Sequence, residues 1–543
     1  MMPPTERGGS IRGSRRPQVG SRMLQWGVFP LLVVLAYPFI ALYFFNTKRM
    51  TVAAGMTTLG AIMFLPDGDF ALDFPLIPPL DKENIATVCL VVLMVLRYPE
   101  RLKEAKLFRG VDLIPSIALL GIIGTWQLNK EPIIMGELAG QQIDAKLVVL
   151  PGLTFKEVIA YSVRDTLMFL LPFQMARAVY RTREDLRDLL TIFVAALLIY
   201  LPLVLFETRF SPILHNRVYG YFQHPDFMQA RRWGGWRPRV FFYHGLFLSK
   251  FLLGCTFCAL AMWKGKEKKS WGYPSKTVFW VSFWLTFYSK STSIILYMFI
   301  FTFLALKTKM KTRIRVMVVL SAFTLFYPYA RATNLVDVDA IIKEIEKLSP
   351  ERAESLAFRF RNESEVAAKA RKKSVWFGWG GWSRGDIWDV KVGRNLTILD
   401  GYWLIRFSTK GIFGLAGPFL VMLLPVWLVA KRYKKIPWEE DREMVVILAA
   451  FPLVYAMECL PNSISTNIPF FISGAVWGVV ANISDPKYIA SQQRGRRGPP
   501  PPGWRPPPPG MPPGAPYPGA PHPGAPLPPP MLPGPPPGGR PPR

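Results

Sequence analysis

FRFRNESEVAAKARKKSVWFGWGGWSRGDIWD, residues 358–389, is a strongly polar stretch inside a chain of which half the residues are hydrophobic. It sits within a segment, 330–410, bracketed by apolar runs whose far ends carry clustered bases: Lys307, Lys309, Lys311, Arg313 and Arg315 on one side, Lys431, Arg432, Lys434 and Lys435 on the other. Lysine and arginine gather on the cytoplasmic flank of membrane helices. Both far ends are therefore read as cytoplasmic, and the polar segment between them faces away from the cytoplasm, where ATP and nucleotide sugars are absent.

Working outward, apolar runs occur near 27–45, 51–65, 84–98, 111–128, 156–176, 188–206, 240–263, 276–288, 291–306, 316–329, 411–430, 444–460 and 468–482. Several approach the roughly 20 residues that cross a hydrocarbon core. The expected fold is all-α, a polytopic integral membrane protein with about 12–13 transmembrane helices and one long extracytoplasmic helical loop. The expected parts are a basic cytoplasmic tail (1–26), an N-terminal transmembrane bundle (27–329), the extracytoplasmic loop (330–410), C-terminal transmembrane helices (411–482) and a Pro/Gly-rich tail (494–543). Basic loops set a consistent orientation from residue 97 onward. Before it parity breaks: counting back puts the N-terminus outside, whereas Arg7, Arg12, Arg15, Arg16 and Arg22 argue for inside, so one of the first three segments is a candidate for a re-entrant or interfacial helix.

The formal charge of +29 raises nucleic acid as a partner. Its placement in short loops and tails fits orientation and anionic lipid headgroups better, so membrane lipids are the expected partner and nucleic acid is not. Cys89, Cys255, Cys258 and Cys459 all lie in or at the ends of apolar runs, which argues against a disulfide framework or a zinc site. The Pro/Gly tail cannot bury a core; it reads as an extended solubilising segment or a docking site for a cytoplasmic partner.

Three constellations carry candidate chemistry. Arg237-Pro238-Arg239-Val240-Phe241-Phe242-Tyr243-His244-Gly245 sits where an outer loop enters the seventh run. Guanidinium forks suit a pyrophosphate, and Arg231, Arg232, Arg237 and Arg239 oppose the orientation bias, so anchoring alone does not explain them. Tyr288-Ser289-Lys290-Ser291-Thr292-Ser293 is a tight turn that could present Lys290 to the same anion, although helix capping explains its hydroxyls. In the long loop, Ser349-Pro350-Glu351 starts a helix expected to reach about Lys373, carrying Arg359, Arg361 and Glu363. Beyond it come Trp379, Trp382, Asp400 and Tyr402. Aromatic faces among glycines can stack on sugar rings, and carboxylates can orient or deprotonate hydroxyls; a headgroup-layer loop with surface ion pairs is the alternative. Asp67-Gly68-Asp69 and Asp337-Val338-Asp339 have the spacing of a divalent-metal site, with helix-start acids as the simpler reading of the second. His244 is a candidate acid/base. Arg164, Asp165 and Glu458 fall inside apolar runs, where each charge costs about 2.5–3.5 kcal/mol unless it faces a cavity or a partner.

Taken together, FGWGGWSR (377–384), the Arg-rich helix before it, DGYWLIRFSTKGIFGL (400–415), RPRVFFYHG (237–245) and SKSTS (289–293) resemble the O-antigen ligase and O-antigen polymerase superfamily over residues 110–482. That resemblance implies a GT-C-like, metal-independent glycosyltransferase without cofactor, in the bacterial inner membrane. It would take a glycan from undecaprenyl pyrophosphate during O-antigen, lipopolysaccharide or other polysaccharide biosynthesis, with a chain-length regulator as a further partner. Carried over by position, Arg239 matches the family's arginine before the helix. Lys290 or its neighbours fall where many members have Ser-Arg. Asp400 stands eleven residues before Gly411, where family ligases have histidine. The pyrophosphate set is then Arg237, Arg239 and Lys290 with Arg359, Arg361 and Arg164, the acceptor base Asp400 or Glu363, and the glycan platform Trp379, Trp382 and Tyr402. Polymerisation is the first reading and ligation to lipid A core or protein the second. A glycolipid transporter and a scaffold acting through the tail are readings of other classes.

Overall fold

The computed structural model describes residues 27–496 apart from 69, 71, 75–76, 136–147, 348, 390–392, 398 and 464–465. The basic N-terminal stretch, Asp69 and the Pro/Gly tail beyond residue 496 lie outside the described residues. The chain divides into a unit ending at Ile489 and a second beginning at Ala490, whose described part is the last helix's C-terminal end.

A helix occupies each of the apolar runs. In chain order these are α1 (Val28–Thr47), α2 (Met50–Phe64), α3 (Lys82–Arg97), the short α4 (Pro99–Ala105), α5 (Ile117–Gln127), α6 (Phe155–Asp165) and α7 (Leu171–Val179), the last two joined by a π turn at Thr166–Leu170. Next come α8 (Arg183–Phe210), the short α9 (Leu214–Tyr219), α10 (Gly245–Lys264), α11 (Ser275–Tyr288), α12 (Thr292–Lys307) and α13 (Met310–Ala332). The polar segment supplies α14 (Val338–Glu346) and α15 (Pro350–Lys373), followed by α16 (Tyr402–Arg432), α17 (Glu439–Glu458), α18 (Ile468–Ile483) and α19 (Pro486–Arg496). Local chemistry sets their starts. The Asp81 carboxylate accepts the Asn84 N–H at 2.8 Å, Thr154–Glu157 and Thr182–Asp185 form capping boxes, and Pro350 opens α15 as the sequence predicts. Strands among the described residues are confined to two-stranded ribbons.

Four helices, Val28–Thr47, Arg183–Phe210, Gly245–Lys264 and Tyr402–Lys435, are long and apolar enough to cross a bilayer; the bent pair Ile468–Ile483 and Pro486–Gln493 makes a fifth if it is one span. The count of 12–13 crossings is thus larger than length and composition establish. Several other helices have only 14–16 residues, and α13 begins with Lys311, Arg313 and Arg315.

Contacts sort the connections into two ends. At one, Arg181 pairs with Glu104 at 2.7 Å, Arg187 with Glu267 at 2.6 Å, Arg183 with Asp441, and Arg313 with Glu443 at 2.6 Å. These are the basic loops read as cytoplasmic. At the other, Arg384 donates to the Pro151 carbonyl at 2.7 Å, Lys250 to the Ser463 carbonyl at 3.1 Å, and the Tyr402 N–H to the Asn462 carbonyl at 3.0 Å. The first three helices alternate between these ends: Phe29 rests against Tyr219, Arg49 pairs with Asp188 at 3.5 Å, and Asp67 pairs with Lys82.

Close approach is bought with glycine where helices meet. Gly474 and Gly478 of α18 lie against the backbone of α7: a Cβ would stand 2.0 Å from the Phe173 carbonyl at one and 2.4 Å from that of Tyr180 at the other. Gly411 does more. Its φ of 61° and ψ of −160° break α16. The exposed polar groups at the break are taken up by the Trp-Gly loop: Trp379 and Gly380 donate to the Ser408 and Thr409 carbonyls, both at 2.8 Å, and Ile412 donates to the Val375 carbonyl at 2.9 Å. A broken helix survives in a low-dielectric bundle only when its freed groups are satisfied in this way.

Gly411→Ala would force a left-handed φ on alanine and place its Cβ 2.2 Å from the Trp376 carbonyl. It should destabilise the fold by about 3 kcal/mol or more. Thermal unfolding of the detergent-solubilised chain reads this as a lowered midpoint; an unchanged midpoint would show that the break is not under this constraint.

Candidate functional site

The site begins with Glu207 near the end of α8. Its carboxylate accepts the N–H groups of Leu214 at 2.9 Å, Arg239 at 2.8 Å and Val240 at 2.6 Å. This pins the loop after the Arg231–Trp236 ribbon, and the Arg237 N–H donates to the Ala230 carbonyl at 2.7 Å. Arg237 is thereby held inward with only 2 % of its surface exposed. Its guanidinium donates to the Ser291 hydroxyl, which in turn shares a hydrogen bond with Ser249. Its Nε has no partner, and among the described residues no carboxylate comes within ion-pair distance. Burial and the neighbouring charges of Arg232 and Arg239 push its basicity down to about 9. The loop thus holds a buried cation with no carboxylate in direct contact among the described residues, Glu458 being the nearest opposite charge that acts on it.

Arg237 lines a cavity of about 570 Å³ together with Arg232, His244, Ser293, Arg359 and Asp400. Residues from loops more than a hundred positions apart therefore meet in one space. Arg359 stands 3.5 Å from Asp400, both about half exposed. Behind them Glu458, fully buried, accepts from the Ser293 hydroxyl at 2.9 Å and the Asn462 amide at 2.7 Å, while its second oxygen has no partner. Lys250 lies nearby over the Tyr455 ring at 4.7 Å. Sequence reading passed over Lys250, although a lone lysine in the apolar run 240–263 was its signal.

His244 lines the same cavity but is not free to act as an acid or base. Its Nδ1 accepts the Leu246 N–H at 3.1 Å, capping α10, which places the proton on Nε2 to donate to the Gln229 carbonyl oxygen at 2.9 Å. Burial first, then Arg237 and Arg239, push its imidazole down to about 3. The acid/base role expected for His244 gives way to a capping one.

Other expected residues fall elsewhere. The Arg239 guanidinium donates to the Asp226 carbonyl at 2.9 Å and does not line the cavity. Lys290 donates to the Arg232 carbonyl at 3.3 Å, bracing the ribbon. Glu363 is held by Arg331 at 3.2 Å and lines a smaller, mainly apolar groove of about 270 Å³ that Arg359 and Asp400 also border, where burial raises its carboxyl above the usual range. Arg361 is exposed on α15. Trp379 donates to the Lys369 carbonyl at 3.1 Å, with Lys369 and Lys373 over its ring, so it secures the loop rather than offering a platform. Trp382, Tyr402 and Arg164 line a separate cavity of about 650 Å³, which touches the first at Ser463. There Asp165 binds Arg406 through both oxygens at 2.8 and 2.7 Å and Lys410 at 2.8 Å, a triad that the sequence shows only as isolated charges.

The candidate metal pairs have structural partners. Asp67 is engaged by Lys82 and by the Tyr243 N–H at 2.8 Å, and Asp337 caps α14 by accepting the Ala340 N–H at 3.1 Å. His215 bridges the Tyr221 carbonyl and the Asp67 N–H. The four cysteines are free and buried.

No protein-family model matches the chain, and no curated protein matches it either. The chemistry of the cavities is therefore the ground on which function is argued.

Two outcomes follow. Inorganic pyrophosphate should raise the unfolding midpoint of the full chain by binding the folded state, and Arg237→Ala should abolish most of that rise; equal protection of both proteins would contradict the anion reading. The folded His244 takes its proton only near pH 3, below the unfolded value of about 6.5. As pH falls through that window the unfolded chain binds the proton first, so stability drops on the acid side, and His244→Gln should lessen that drop. In the folded protein nothing at this residue titrates between about pH 5 and pH 8, so any rate profile should keep its shape in the variant.

Proposed function

We propose that the protein is a membrane glycosyltransferase, GT-C-like in architecture, that moves a glycan from a polyprenyl-pyrophosphate carrier to an acceptor hydroxyl on the outer face of the bacterial inner membrane. The observation that carries this reading is the buried Arg237, without a direct carboxylate partner among the described residues, in the same cavity as Arg359 and Asp400. Such a space attracts a multiply charged anion and keeps a carboxylate beside it.

In the proposed reaction the acceptor oxygen attacks the anomeric carbon of the donor sugar. The bond from that carbon to the pyrophosphate oxygen breaks, and the polyprenyl pyrophosphate leaves with the electron pair. Arg237, with Arg232 and Arg359, meets the charge that grows on the leaving oxygen; fixed donors in a low-dielectric site are effective because they need no reorganisation. The acceptor proton passes to Asp400, which lines the cavity in a long, half-exposed pairing with Arg359, whereas Glu363 is largely buried against Arg331. The leaving group is already activated, so the scheme asks for no nucleotide.

Polymerisation of lipid-linked repeats into O-antigen or exopolysaccharide is the preferred assignment, because Asp400 stands where family ligases have histidine; ligation to lipid A core or protein is the second. Gene deletion separates them. Single repeats still on their carrier mean a polymerase, long unattached lipid-linked chains mean a ligase, and unchanged glycans with misplaced precursor mean a transporter.

In a reconstituted assay Asp400→Asn should lower turnover by about 10²–10⁴-fold with little change in donor KM. A chelator should leave turnover intact; loss on chelation would favour a metal at paired acids instead.

A further inference from the structure

The second cavity, about 650 Å³, has a chemistry unlike the first. Its cations Arg164, Arg406 and Lys410 face the carboxylates Asp81, Glu83 and Asp165, so its formal charges balance and it has no excess with which to hold a pyrophosphate. Asp165 is consumed by Arg406 and Lys410, and Asp81 caps α3. Two groups remain. The Glu83 carboxylate, 9 % exposed, has no hydrogen bond or ion pair to another side chain among the described residues, its charged neighbours being Asp81 and Lys82, and the exposed Arg164 guanidinium has no direct ion pair, with Asp81 as its neighbouring opposite charge. Both line the cavity with the aromatic rings of Tyr161 and Trp382, beside Gly380 and Gly381.

A carboxylate that accepts, a guanidinium fork that donates, neither engaged directly by another side chain, and aromatic faces alongside are what a polyhydroxylated ring requires. The space is also placed for transfer. Ser463 borders both cavities, and Asp400 in the first is separated from Tyr402 in the second by Gly401 alone. We propose that this cavity is the acceptor subsite: it seats a carbohydrate through Glu83, Arg164 and Trp382 and directs one hydroxyl across Ser463 toward Asp400. This assignment rests on the transferase reading above, and it divides the two substrates between two cavities.

The test varies donor and acceptor separately with the full chain in proteoliposomes. Arg164→Ala and Trp382→Ala, both at exposed side chains, should raise the acceptor KM by about tenfold or more and leave the donor KM within about twofold. Glu83→Gln should act in the same direction. An unchanged acceptor KM, or donor and acceptor KM rising together, overturns the assignment. A second readout does not need turnover: calorimetric titration with the oligosaccharide repeat released by mild acid from the source cell's own surface glycan. Binding to the wild type that is lost in Trp382→Ala supports the subsite, and no binding, or equal binding to both, overturns it. Binding with the expected losses but no transfer by the wild type would instead count against the transferase reading alone.

Discussion

A charge inside a bundle of apolar helices must be met by something, because the desolvation it suffers far exceeds what a distant counter-charge returns. Most buried charges of this protein are met from within. Asp165 has Arg406 and Lys410, Glu363 has Arg331, Arg313 has Glu443, and Glu207 has three backbone N–H groups. Each pairing also ties elements together, so the need to neutralise charge and the need to fix the fold are served by the same contacts. Arg237 differs from the equally buried Arg239 and Arg384, which are held by backbone carbonyls: it lines a cavity, its direct acceptor is a hydroxyl, and Glu458 acts on it without touching it.

The break in α16 shows how the same constraint positions the rest. Gly411 ends one half-helix and starts another, and the Trp-Gly loop supplies hydrogen bonds to both. Arg406 crosses the break by donating to the Gly414 carbonyl at 2.8 Å while holding Asp165. Asp400 and Tyr402, just ahead of this half-helix, are therefore set by contacts around the break and by the Asn462 carbonyl, not by the flexibility of an isolated loop.

Much of this architecture was legible beforehand. Apolar runs located the helices, basic clusters sorted the loops into two ends, and Ser349-Pro350 marked the start of α15. Those signals are local, or repeat at a helical period. What was not legible depends on side-chain direction. Arg237 and Arg239 are two residues apart and chemically identical; Glu207 decides between them by binding the Arg239 and Val240 amides, thirty residues away in sequence. FGWGGW reads as a sugar platform, yet Gly378 allows the backbone to reach a broken helix, and Trp382 rather than Trp379 lines the cavity around Arg164. Lys250, Glu83 and the Asp165 triad acquire meaning only from partners distant in the chain, which a single sequence does not pair.

The central claim, that the Arg237 cavity holds a diphosphate, is tested most directly by an experimental density map of the full chain bound to polyprenyl pyrophosphate. The account predicts phosphate density within ion-pair distance of the Arg237 guanidinium, between it and Arg359. Phosphates seated in the charge-balanced cavity around Arg164, or at the opposite end of the bundle among the Arg183 and Asp441 pairs, would contradict it.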